Sequence, residues 1–107
     1  MHKFEELEHL PARELVPGFT AKLIHTDTVT IAHVRAVEGS MLPEHQHPQE
    51  QVTNILSGKL EMTVDGETRV CPAGTVITIG PNVPHAARAL SDCEIIDVFH
   101  PVREDYK

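Results

Sequence analysis

The chain has 107 residues, with 9 Lys and Arg against 16 Asp and Glu, so its formal charge is −7 before its 8 histidines titrate. At 40% hydrophobic and 23% charged residues it has the composition of one folded globular domain, which excludes a disordered chain. The acidic balance and scattered basic residues argue against a nucleic-acid partner; no apolar run reaches the ~18 residues of a membrane helix, and residues 1–8 mix charges, so no membrane partner and a cytoplasmic location are expected.

Residues 1–18 read as an N-terminal arm, in which Phe4, Leu7 and Leu10 suggest a short amphipathic turn that Pro11, Pro17 and Gly18 do not let continue. From residue 19 to 107 turn residues recur every few positions between β-branched runs, the pattern of one all-β domain, a sandwich or barrel of short strands. The spacing predicts strands over 20–25, 28–37, 41–46, 50–56, 59–64, 67–71, 75–79, 85–89 and 94–100. Asp65-Gly66 between alternating apolar runs predicts a type I′ hairpin, and Ser57-Gly58 and Pro72-Ala73-Gly74 predict further turns. Pro81-Asn82-Val83-Pro84 belongs to an edge or a loop, because proline cannot donate to a strand ladder. Cys71 and Cys93 show no CxxC spacing and read as buried free thiols.

The histidines carry the first chemical signal. Alternate residues of a strand share a face, so His45 and His47 can direct two imidazoles at one metal ion. With eight histidines, chance nearly supplies such a pair, so position must decide. Gln51 follows on the same parity, and His85 opens a later strand directly after the proline-rich turn. Glu50 is the stronger ligand chemically, but a regular strand points it the other way. His33 shares parity with Val29, Ile31 and Arg35 and is expected as a hydrogen-bonded wall residue of the barrel interior. His2, His9, His25 and His100 need no special role.

These residues resemble the two motifs of the cupins. Gly39-x5-His45-x-His47-x3-Gln51-x6-Gly58 matches every spacing of the first. Gly74-x5-Gly80-x-Asn82-x2-His85-x3-Ala89 keeps the spacing of the second but replaces its Pro, Gly and Asn with Gly80, Asn82 and Ala89. Asn82 tolerates the left-handed conformation that the usual glycine supplies, and Ala89 is no ligand. The resemblance implies a single-domain jelly roll, a double-stranded β-helix barrel, with one divalent transition-metal ion at its open end held by His45, His47, Gln51 and His85. Three imidazoles and an amide oxygen suit Zn, Ni, Mn, Fe or Cu. An all-neutral ligand set leaves the full charge of the ion on the site, which favours a small anionic partner.

The last strand is the second informative stretch. Alternation puts Asp97 on one face with Cys93, Ile95 and Phe99, and an acid in such company costs free energy unless it is paired or functional. Arg103, beyond Pro101, can fold back to pair with Asp97 or to grip a substrate carboxylate. This tail, with the run His47-Pro48-Gln49-Glu50-Gln51, resembles the small cupins of pectin and alginate degradation that open 4,5-unsaturated uronate sugars to linear keto acids. That resemblance implies Asp97 and Arg103 as catalytic residues, Phe99 and Arg103 as substrate-binding residues, and a homodimer. Two other readings stay open: a cupin dioxygenase using Fe, Cu or Mn, and a non-catalytic barrel that binds a metal and a small ligand.

Overall fold

The computed structural model describes residues 2–107, and ten strands dominate it. They are β1 (Arg13–Val16), β2 (Phe19–His25), β3 (Thr30–Ala36), β4 (Met41–His45), β5 (Glu50–Ser57), β6 (Lys59–Val64), β7 (Glu67–Pro72), β8 (Val76–Ile79), β9 (His85–Ala89) and β10 (Cys93–His100). Two antiparallel sheets result, one ordered β1-β2-β3-β10-β5-β8 and the other β4-β9-β6-β7. The chain crosses repeatedly from one sheet to the other, which is the jelly-roll architecture the motifs imply. Among the described residues no helix is long and apolar enough to cross a membrane.

Period-two patterning builds the interior. Thr30, Ala32, Val34 and Ala36 of β3 are buried, as are Gln51, Thr53 and Ile55 of β5 and Cys93, Ile95 and Phe99 of β10. Ile55 and Leu60, 2% and 1% exposed, face each other's sheets, and each buried aliphatic side chain of this size contributes about 1.5–3 kcal/mol. Both cysteines are buried and free. The Asp65-Gly66 hairpin forms as expected, with φ of 49° and 81° between the paired Val64 and Glu67. Gly58, at φ 83°, turns β5 into β6 where a Cβ would lie 2.1 Å from the Asp92 carbonyl oxygen.

Two readings of the sequence change. Part of the 1–18 segment is built into the main sheet: Leu7–His9 is a single 3-10 turn, but β1 pairs with β2 through the Pro17-Gly18 turn, Gly18 taking φ 88°. The prolines bound this short edge strand instead of excluding it. His33 faces away from the barrel interior, because the inward set on β3 is its even-numbered residues. Ile31 on the outward set made the parity ambiguous from sequence.

Candidate active site and metal centre

His45 ends β4 directly opposite His85 at the start of β9, so sheet pairing alone brings two imidazoles together from residues forty apart in the chain. His47 lies in the connection from β4 to β5, whose carbonyl accepts from the Asn82 amide at 2.8 Å. Asn82 takes φ 59°, so the turn of the second motif survives without its glycine. The ring centroids lie 4.3 Å apart for His45 and His85, 5.0 Å for His47 and His85, and 5.9 Å for His45 and His47.

Each ring donates through Nδ1 to a main-chain carbonyl: His45 to Pro43 at 2.8 Å, His47 to Gln49 at 3.0 Å and His85 to Val83 at 2.8 Å. A carbonyl only accepts, so Nδ1 carries the hydrogen in all three rings, and the Nε2 of such a ring when neutral presents a bare lone pair. One ligand atom from each of the three rings lies within 4.8 Å of the others. Burial lowers the His85 pKa to about 4, helped by the neighbouring imidazoles and Arg103 and against its bond to Val83. Burial likewise lowers that of His47, with Arg103 adding to it. Both rings are therefore neutral, in the ligating form, at neutral pH.

Gln51 joins this set, and Glu50 does not. On β5 the Gln51 side chain points inward opposite Phe99, while exposed Glu50 sits opposite His100 on the outer side. Gln51 Nε2 donates to Thr53 Oγ1 at 2.9 Å, and Thr53 in turn donates to Asp97 Oδ1 at 2.6 Å. That chain turns Gln51 Oε1 toward His47 Nε2, 3.0 Å away. Two acceptors that close repel unless a cation lies between them, and His85 Nε2 is itself buried without a partner. Two donors each about 2.1 Å from one ion at a right angle stand about 3.0 Å apart, so the residues fit a transition-metal ion. His45, His47 and His85 could hold such an ion, with Gln51 placed beside them.

Asp97 extends from β10 opposite Thr53 and lines the same cavity as His45, Gln51, His85, Phe99 and Arg103. Burial pushes its pKa up to about 6, against the hydrogen bonds from Thr53 and Gln51 and the charge of Arg103. Arg103 does fold back over the barrel, but its bidentate partner is Asp105 rather than Asp97: Nε reaches Oδ1 at 3.0 Å and Nη2 reaches Oδ2 at 2.8 Å. Its guanidinium packs 4.8 Å from the Phe99 ring and 4.0 Å from the Tyr106 ring, and its side chain is only 7% exposed. Thr30 Oγ1 accepts the Arg103 amide at 2.9 Å, and the Gln49 side chain donates to the Val102 carbonyl at 3.2 Å, so two contacts pin the tail.

Thr53, Tyr106, Asp105 and Gln49 are the residues that sequence reasoning missed. Thr53 was detectable, since its parity with Gln51 places a hydroxyl inside. Asp105 and Tyr106 were not, because their contacts depend on how the tail bends after β10.

The cupin domain family matches residues 32–99, and the chain belongs to that family. It is 26% identical over 102 residues to the pectin degradation protein KdgF of Dickeya dadantii, covering 92% of this chain and 93% of that protein. The structure of KdgF from Halomonas sp. superposes with a TM-score of 0.93 at 26% identity, covering all of both chains. A shorter segment of 55 residues is 44% identical to the H2HPP isomerase of Bacillus subtilis, spanning 50% of this chain and 23% of that protein. The chain thus resembles the small uronate ring-opening cupins in fold, length and motif.

Proposed function

We propose that the protein is a metal-dependent isomerase that opens the ring of a small anionic sugar acid, a 4,5-unsaturated uronate. One observation carries the reading: His45, His85 and the Gln51 amide line one cavity with the Asp97 carboxyl and the Arg103 guanidinium, and the His47 imidazole completes the cluster beside Gln51. The likeness to a pectin degradation protein over nearly the full chain, and to an isomerase over half of it, supports the choice of substrate and of a non-redox reaction.

His45, His47, His85 and Gln51 would hold the ion, which when bound supplies a Lewis acid for a substrate oxygen. Arg103, already desolvated and held by Asp105, binds the substrate carboxylate with the donors Asp105 leaves free. Phe99 packs the sugar face and keeps water from the guanidinium. Asp97 moves the proton. As the bond between the anomeric carbon and the ring oxygen breaks, the anomeric hydroxyl loses a proton and the ring oxygen gains one, leaving an aldehyde and an enol. The enol proton then moves to the neighbouring carbon to give the keto acid. Atoms balance with neither water nor oxidant, and a group that both gives and takes protons is what the steps require.

Replacing Asp97 with Asn tests the reading. Turnover of an unsaturated uronate should fall at least a hundredfold with metal content unchanged; full activity in that variant would remove Asp97 from the chemistry.

A further inference from the structure

Arg103 is a buried cation whose anion lies at the surface. Its side chain is 7% exposed against 60% for Asp105, so the pair runs from inside the site to outside. Arg103 and Tyr106 line the cavity, and Asp105 reaches the guanidinium from beyond them. A half-exposed ion pair adds little to stability, but two parallel bonds fix the plane and heading of a guanidinium. The tail is built to keep the Asp105 carboxylate in place: Glu104–Tyr106 form a 3-10 turn, the Tyr106 amide donates to the Arg103 carbonyl at 3.0 Å, and Arg13 Nη2 on β1 donates to the Asp105 carbonyl at 3.2 Å. The Phe99 and Tyr106 rings stand at 86° to each other, and the guanidinium sits in the corner they make. The bonds from Arg103 hold the Asp105 carboxyl below its ordinary range, so it is an anion at neutral pH.

We propose that Asp105 is the positioning residue for the substrate carboxylate: from outside the cavity it locks Arg103 so that the guanidinium edge made of Nη1 and Nη2 meets the substrate and stays off Asp97. Asp105 takes the Nε hydrogen and one at Nη2, and what it leaves is a second fork of the same spacing. Asp97 is the competing partner, since it lines the same cavity and feels the charge of Arg103. An Arg103 released from Asp105 would turn onto that carboxyl and be lost to the substrate. The proposal rests on the reading of Arg103 as the partner of a substrate carboxylate, and it makes the site selective for the ionised acid. A methyl ester is uncharged and offers one good acceptor where the fork needs two.

Titration calorimetry of the zinc-loaded protein tests it, with glucuronate, a saturated uronate that forms no enol, and its methyl ester as probes. Wild type should prefer the acid by about thirtyfold or more, the loss expected when one partner of a buried charge pair is removed. Asp105→Asn, which sets an NH2 group against Nη2, should cut that preference to about threefold or less by weakening acid binding and leaving ester binding unchanged. Arg103→Gln should abolish the preference, and adding Asp105→Asn to it should change nothing further, because Asp105 acts only through Arg103. Four results would each overturn the proposal: no preference in wild type, a preference that survives Asp105→Asn, an equal loss of acid and ester binding, or a further loss in the double variant. Turnover of an unsaturated uronate separates this proposal from the reading beneath it. An acid preference that depends on Asp105 without turnover removes the reaction and keeps the positioning role, whereas turnover with a preference indifferent to Asp105 removes the positioning role alone.

Discussion

Gln51 Oε1 faces His47 Nε2 across 3.0 Å, an oxygen lone pair against a nitrogen that carries no hydrogen. A bound ion converts this repulsion into two coordinate bonds, so metal should stabilise the fold. At a hundred times its dissociation constant, a divalent ion adds about 2.7 kcal/mol, which raises the Tm of a domain this size by about 10 °C. Gln51→Leu should weaken ion binding about tenfold or more, read by titration calorimetry. A melting curve indifferent to Zn, Ni and Mn would contradict the assignment.

Asp97 gives a prediction in which function and stability move in opposite directions. Its pKa is about 6 in the folded protein, above its ordinary value, so the fold binds this proton more tightly than the unfolded chain does. The contribution is therefore present below about pH 4 and is lost as pH rises toward 6. Asp97→Asn should stabilise the metal-free protein by about 1–3 kcal/mol at pH 7 while destroying activity, and the gain should vanish near pH 4. His85 titrates the other way, but equally in both proteins, and cancels in the comparison. Urea melts at the two pH values measure both terms. A variant less stable than wild type at pH 7 would show Asp97 to be structural.

Arg103→Lys keeps the charge and loses the planar fork. Lys cannot hold Asp105 and a substrate carboxylate at once, nor stack on Phe99 and Tyr106 in the same way. Steady-state kinetics should show KM for a carboxylate substrate rising about 10–100-fold with kcat changed far less. An unchanged KM would remove Arg103 from substrate binding.

Much of this architecture was legible in the sequence because β structure obeys a period of two. Parity chose Gln51 over Glu50, and Asn82 announced a left-handed turn; both hold in the structure. Parity misplaced His33 because Ile31 gives the outward set of β3 an apolar residue as well. The short edge strand β1 escaped notice because its flanking prolines and few pairings leave little pattern. Asp105 as the partner of Arg103 was beyond reach, since no periodicity governs a tail that bends back over the barrel.

Gly58 carries a purely structural prediction. A methyl group there would collide with the Asp92 carbonyl in a backbone already at φ 83°, so Gly58→Ala should cost about 3 kcal/mol or more. Chemical denaturation reads the loss directly; a cost below about 1 kcal/mol would mean that the turn relaxes freely.

Ring opening without oxygen is the most direct measure of the account. The metal-loaded protein, mixed anaerobically with a 4,5-unsaturated uronate monosaccharide, should convert it to the linear keto acid, with the vinyl proton signal disappearing in the NMR spectrum. No conversion, or conversion only with uptake of dioxygen, would contradict the assignment of a proton-transferring isomerase to this site.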